Sequence, residues 1–315
     1  MTRPLAIIVD ETDLDLSASE QALREGGFDV ARCRIDLDPV IPKGLRGARA
    51  AIVGYTRLDA GFFDQLPQLG AVATCSVGVD MVDADDAAAR GIRVISIGAP
   101  STEEVAVHAL TLLLAAERRL LDAHAVARSG GWTEEFTARP RRFSQLTLGL
   151  YGFGKIAQRL AALAAPVVAR VIAYDPYAAA VPGVELVSES ELFVSTDLLS
   201  VHAPLTDVTR GAIGPAAFTA MRPGTVIVNT GRGPVIDSAA LVEALDDGTI
   251  AAAGLDVFDA DPPASDDPLL NHPRVIATPH IGFLSVASLA DYERLPGANL
   301  VAWWQQESNK KENVS

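Results

Sequence analysis

Apolar and polar positions follow two rhythms along the 315 residues. Short runs rich in Val, Ile, Leu and Ala stand at 5–9, 29–35, 50–54 and 71–75, separated by turns and stretches of helical periodicity. Runs that are apolar at consecutive positions are the pattern of strands buried on both faces. Their alternation with helical segments predicts a parallel sheet covered on both sides. The series restarts at 146–151 and continues through 168–174, 197–201, 225–229 and 275–278. Between the two series lies one long helical segment, from Ser101 to about Leu121, with Val105, Leu112, Leu113, Ala116 and Leu120 at helical spacing. That face is too wide for a surface helix and is expected to be buried against another element or subunit. Ser17-Ala18-Ser19-Glu20 and Ser101-Thr102-Glu103-Glu104 have the spacing of capping boxes, in which a serine hydroxyl and a glutamate carboxylate satisfy early helix amides.

Composition narrows the class. At 49% hydrophobic and 21% charged, the chain has apolar mass for a substantial core, and its length fits two domains of roughly 150 residues each. Lys and Arg number 26 against 40 Asp and Glu, a net charge of 26 − 40 = −14. A field of that sign repels nucleic acid and anionic lipid, so neither is expected as a partner. An anionic ligand would have to be held by a few positive groups placed locally. The two cysteines, Cys33 and Cys75, lie in apolar stretches and read as buried thiols of a reducing compartment; no disulfide and no metal site is expected. The first apolar run is too short for the core of a secretion signal. Glu117-Arg118-Arg119 interrupts the longest helix, so no membrane span is expected and the location is read as cytoplasmic. Arg139, Arg141 and Arg142 form a basic cluster in the loop 129–144, with a solvent-facing reading preferred to a cleft-facing one.

Candidate chemistry begins after the strand at 146–151, where Gly152-Phe153-Gly154-Lys155-Ile156-Ala157 leads into a helical pattern. This is G-x-G-x-x-A in a strand–turn–helix context. Gly152 permits the tight turn, Gly154 lets backbone approach a pyrophosphate, and Ala157 allows the helix to pack close to the strand. Lys155 and Ile156 open a helix whose amides would face the phosphates. The next strand ends in Asp175, 21 residues after Gly154 (175 − 154). A carboxylate there would accept both ribose hydroxyls of the adenosine half and repel a 2′-phosphate, which favours NAD over NADP.

Further motifs follow: Tyr174-Asp175-Pro176, His202-Ala203-Pro204-Leu205-Thr206, Val228-Asn229-Thr230-Gly231-Arg232-Gly233-Pro234, Leu255-Asp256-Val257-Phe258 and Thr278-Pro279-His280-Ile281-Gly282. With Ser76-Val77-Gly78-Val79-Asp80 they make residues 70–282 resemble the D-isomer-specific 2-hydroxyacid dehydrogenase family. The resemblance implies an α/β protein with two domains. A Rossmann-type doubly wound parallel sheet over 99–286 would bind NAD, and a flavodoxin-like α/β substrate domain would comprise 1–98 and 287–315. It implies that Gly152, Gly154, Lys155, Ile156, Asp175, His202, Pro204, Thr230 and Asp256 contact the cofactor, Asp256 accepting from the nicotinamide carboxamide. Tyr55, Arg57, Val77 and Gly78 would bind substrate together with Arg232.

Reducing a 2-oxo acid needs a grip on the carboxylate, a proton for the carbonyl oxygen and a hydride donor. Arg232 follows the strand at 225–229, and its planar fork suits the carboxylate. His280, after the strand at 275–278, suits proton transfer. In the family a glutamate before a proline backs this histidine; here the matching position is Asp261, one methylene shorter, with Asp259 out of register. Val107 stands where the family usually has Glu. His108 falls on the long helix with no assigned role. Arg57 reads equally as a sensor of a second anionic group or as a solvated charge. The expected activity is interconversion of a D-2-hydroxy acid and its 2-oxo acid by a homodimer. Two alternatives stand: dehydrogenation of an unusual anion (formate, phosphite or a phosphonate- or phosphate-bearing keto acid), or a catalytically silent NAD(H)-sensing protein.

Overall fold

The computed structural model describes residues 3–10, 12 and 14–312, with side chains described to 310. It divides into two compact units, one formed by the described residues up to Pro100 and from Ser285 onward, the other by Ser101–Leu284.

The first unit is a five-stranded sheet of β1 (Leu5–Ile8), β2 (Asp29–Arg32), β3 (Ala50–Val53), β4 (Ala71–Thr74) and β5 (Arg93–Ile95), in the order β2-β1-β3-β4-β5 and parallel throughout. This is the flavodoxin-like order, with its switch point between β1 and β3. Every residue of β3 and β4 is buried, as their unbroken apolar runs require. The helix Val286–Glu312 returns to this unit and packs on the helix Ser17–Glu25. Beside Pro296, the buried Ser19 hydroxyl donates to Glu293 O (2.6 Å) and accepts from Gly297 N (3.1 Å), bridging an i, i+4 pair of the long helix. Gly297 leaves room for this approach; a Cβ there would lie 2.3 Å from Ser19 O. The expected capping box at Ser17 does not form. Leu16 is the N-cap without a side-chain bond, and Glu20 instead pairs with Arg24 and Arg32.

The second unit holds β6 (Thr147–Tyr151), β7 (Arg170–Tyr174), β8 (Glu185–Leu186), β9 (Leu198–Val201), β10 (Thr225–Asn229), β11 (Ile250–Leu255) and β12 (Val275–Ala277). Their order is β12-β11-β10-β9-β6-β7-β8, all parallel, and the winding reverses between β6 and β9. Two apolar clusters cover the faces: one contains Ile172, Leu199, Leu241 and Leu255, the other Leu113, Leu148, Leu160 and Val228.

The long helix is shorter than its pattern predicts. It spans Thr102–Glu117, with Ser101 as an N-cap that makes no side-chain capping bond. Arg119 is left-handed (φ 53°), and a second helix, Leu120–Arg128, starts after it. Its guanidinium donates to Ala251 O (2.9 Å) and pairs with Asp122, which fixes the break. Val105, Leu112, Leu113 and Ala116 are buried within this unit, against the helix Lys155–Ala164 and against β10 and β11. Leu120 is off that face and 56% exposed. Arg141 also departs from the solvent-facing reading. It forks onto the buried Glu117 carboxylate (2.6 Å) and so ties down the end of the basic loop. Among the described residues no helix is long and apolar enough to cross a membrane.

Candidate functional site

The glycine turn sits at the carboxyl end of β6, at the switch point where parallel sheets receive ligands. Gly152 has φ +88°, and a Cβ there would lie 2.6 Å from Ala203 N; both facts exclude a side chain. Its amide donates to Tyr174 O (2.8 Å), and His202 N donates back to Tyr151 O (2.8 Å). Gly154 is the N-cap of the helix Lys155–Ala164 and leaves the first amides without a side-chain cap. A helix end of this kind carries free donors and a positive dipole.

Asp175 lies past β7, and its carboxylate accepts from Phe153 N (2.8 Å) and Tyr177 N (2.8 Å). It is thereby fixed beside the glycine turn. His202 shares a 2.9 Å hydrogen bond between Nε2 and the Ser200 hydroxyl. Burial pushes its pKa down to about 4, so the ring is neutral at neutral pH. Pro204, two residues on, is exposed. At the end of β10, the Thr230 hydroxyl oxygen is buried and makes no hydrogen bond among the described residues. An orphaned buried hydroxyl, an uncapped helix start and a turn with no room for a Cβ fit a dinucleotide on this unit.

Arg232 follows on the same loop. The buried Asn229 side chain accepts from Gly231 N (3.0 Å) and donates to Arg232 O (2.9 Å), which shapes the turn. A Cβ on Gly233 would stand 1.9 Å from Phe258 O, so glycine lets this loop meet the one after β11. Arg232 Nη1 donates to Gly231 O (2.9 Å).

His280 stands beyond β12 with φ 53°, one of two non-glycine residues with positive φ among those described. Its Nδ1 lies 2.9 Å from Asp261 Oδ2, with side chains 47% and 38% exposed. Asp261 reaches the ring despite its shorter arm. A carboxylate only accepts, so Nδ1 carries the hydrogen of the neutral ring and donates it to Asp261.

Asp256, at the end of β11, is 2% exposed. Its carboxylate accepts from the Thr278 hydroxyl (2.6 Å), Ile281 N (2.9 Å) and Gly282 N (2.8 Å), and His108 Nε2 lies 3.4 Å away. Burial would raise this carboxyl, but donation from His108, Thr278, Ile281 and Gly282 outweighs it and holds it below the ordinary carboxylate range. The partners found for Asp256 are therefore protein donors around His280. His108 escaped sequence reading although it signals itself, as a polar residue on the stripe that carries Val105 and Leu112.

In the first unit, Tyr55 and Arg57 are exposed just past β3. Buried Asp10 shapes their turn by accepting from the amides of Gly54 (2.9 Å), Tyr55 (2.7 Å) and Thr56 (2.9 Å). Sequence reading missed Asp10 too; a carboxylate directly after an apolar strand was its only signal. In the loop after β4, the Thr74 hydroxyl donates to Ser76 O (2.8 Å) and the Ser76 hydroxyl to Gly78 O (2.7 Å). The amides of Val77 and Gly78 make no hydrogen bond among the described residues.

Comparison with known proteins bears on family and fold. Residues 110–282 match the family description "D-isomer specific 2-hydroxyacid dehydrogenase, NAD binding domain". The D-3-phosphoglycerate dehydrogenase of Mycobacterium leprae is 40% identical over 249 residues, which are 78% of this chain but 46% of that protein. The chain thus spans about half the length of that relative. The hydroxypyruvate reductase of Thermotoga maritima is 37% identical over 252 residues, 78% of this chain and 80% of that one. Among solved structures, an NADPH-dependent glyoxylate/hydroxypyruvate reductase from Sinorhizobium meliloti, in complex with NADP and malonate, superimposes with a TM-score of 0.85. It is 33% identical, and the match covers 96% of this chain and 94% of that one. From its glycine turn to the segment after β12, the chain belongs to the D-isomer-specific 2-hydroxyacid dehydrogenase family.

Proposed function

We propose that the protein is an NAD-dependent oxidoreductase interconverting a small anionic D-2-hydroxy acid and its 2-oxo acid. The observation that carries this reading is the His280–Asp261 pair, 2.9 Å apart, on the sheet end that also bears Arg232 and the glycine turn. Bound NADH supplies a hydride to the keto carbon. Arg232 holds the substrate carboxylate through two parallel hydrogen bonds and polarises the neighbouring carbonyl. His280 gives the Nε2 proton to the carbonyl oxygen in reduction and recovers it in oxidation, while Asp261 stabilises the charged ring through Nδ1.

On the cofactor side, Gly152, Gly154, Lys155 and Ile156 would receive the pyrophosphate. Asp175 would take the ribose hydroxyls, Thr230 would offer its unpartnered hydroxyl, and His202 and Pro204 would line the neighbouring wall. Asp256 acts here as an anchor of the His280 turn and would also accept a hydrogen bond from the nicotinamide carboxamide. Preference for NAD over NADP rests on the Asp175 charge and on residues 175–184, which contain no Lys or Arg to neutralise a 2′-phosphate. In the first unit, the amides of Val77 and Gly78 would bind the substrate carboxylate, and Tyr55 and Arg57 would read its side chain. A reducing, cytoplasmic setting is part of this reading, because Cys33 and Cys75 are both set in apolar stretches of the chain. Exposed Leu120, Leu121 and Trp132 support a homodimer.

The test follows NADH and NADPH absorbance with a panel of 2-oxo acids, phosphorylated ones included, and NAD reduction with formate and phosphite. Saturable oxidation of NADH by 2-oxo acids supports the reading. Turnover confined to formate or phosphite replaces the substrate class, and tight NADH binding without turnover replaces the enzyme with a sensor.

A further inference from the structure

Behind His280 lies a polar cluster to which the proposed chemistry gives only part of a role. His108 is carried by the helix Thr102–Glu117 with its side chain 18% exposed. Its Nε2 stands 3.0 Å from Thr278 Oγ1 and 3.4 Å from Asp256 Oδ1. Thr278 has one hydroxyl proton, and at 2.6 Å it is donated to Asp256 Oδ1. Thr278 Oγ1 therefore accepts from His108, which sets the His108 tautomer: Nε2 carries the hydrogen and points it at both oxygens.

The same Asp256 carboxylate accepts from Ile281 N and Gly282 N. One buried group thus grips the chain on both sides of His280, by Thr278 before it and by two amides after it. The residue between them has φ 53°, a left-handed conformation that a non-glycine residue keeps only when its surroundings fix it. Gly282 closes the packing: a Cβ there would lie 2.8 Å from Asp256 Oδ2 and 3.4 Å from the His108 ring. Ring and carboxylate are seated directly on the turn.

We propose that His108 is a positioning residue, whose Nε2–H, acting through Thr278 and Asp256, holds the left-handed turn that presents the His280 ring to Asp261. This rests on the reading of His280 as the acid/base group, and His108 itself touches no reacting atom. Its helix belongs to the second sheet's packing, so the register of that helix on β10 and β11 is tied to the orientation of the His280 imidazole.

The test uses the full chain with ¹⁵N-labelled histidine. There are five histidines, so each ring is assigned by single substitution. At alkaline pH the nitrogen shifts report the neutral tautomers directly. In the parent protein His108 should be the Nε2–H form and His280 the Nδ1–H form. His108→Leu removes the donor; the His280 ring should then populate both tautomers, and kcat should fall about tenfold with NADH affinity unchanged. His108→Gln, whose amide nitrogen reaches the Nε2 position, should restore the Nδ1–H form and most of kcat. Thr278→Val breaks the same link from the other side and should reproduce the mixed tautomers, which keeps the test intact if the leucine variant folds poorly. An unchanged His280 tautomer in the Leu and Val variants would overturn the proposal. So would a glutamine variant as impaired as the leucine one, because the ring would then serve packing alone. The tautomer is read without turnover, so a protein that reduces no 2-oxo acid would refute the oxidoreductase reading and leave this measurement standing.

Discussion

At the scale of single residues, the proposed chemistry turns on a carboxylate one methylene shorter than the family's glutamate. Asp261 still lies 2.9 Å from His280 Nδ1, because the loop after β11 brings its carboxylate to the ring. Both side chains are partly solvated, so the pair adds little to stability, and the role proposed for it is to fix the tautomer. Asp261→Asn should lower kcat about 100-fold with NADH affinity unchanged, measured by steady-state kinetics and fluorescence titration; an unaltered rate and pH profile would remove Asp261 from the mechanism. Asp175→Ser should raise kcat/KM for NADPH relative to NADH about tenfold or more, since it deletes the charge that repels a 2′-phosphate. The places of Gly152, Asp175, Arg232 and His280 just past strand ends were legible in the sequence, because each sits in a local motif that follows an apolar run. His108 and Asp10 were not, because their partners lie far along the chain and only the packed sheets bring them together.

Among elements, the strands were the most legible feature, since consecutive apolar residues fit a sheet buried on both faces. The two-residue β8 and the alanine-rich β11 were not picked out: one is too short for a pattern, and the other reads equally as helix. Neither serine capping box forms. Ser101 is an N-cap that makes no side-chain capping bond. The first helix has its N-cap one residue earlier than expected, at Leu16, and the Ser19 hydroxyl is used between helices. The helix stop at Arg119 likewise depends on Ala251, a partner no local window contains. Glycine does its clearest work where loops meet. Gly233→Ala would drive a methyl against Phe258 O, now 1.9 Å from the ideal Cβ position. It should destabilise the second unit by about 2 kcal/mol in denaturant unfolding, with loss of activity beyond the unfolded fraction because Arg232 moves with the loop.

For the molecule as a whole, a net charge of −14 makes each locally placed cation matter more. Arg232 is the one the proposed chemistry requires, and Arg57 is a candidate second. Stability should also respond to pH through the neutral, half-buried His202. Its folded pKa of about 4 lies below the ordinary imidazole value of 6.5, so the unfolded chain binds more protons across that interval. Stability is therefore fully present above pH 6.5 and declines as pH falls toward 4, by up to about 3 kcal/mol. Unfolding titrations of the parent and His202→Gln should diverge over that window and run parallel above it. The most direct measurement of the central claim compares His280→Ala with the parent protein, reading NADH oxidation by the best 2-oxo acid beside NADH affinity in the same samples. Expected is a loss of kcat of at least about 100-fold at unchanged NADH affinity. An alanine variant that turns over at the parental rate would contradict the assignment of His280 as the acid/base group.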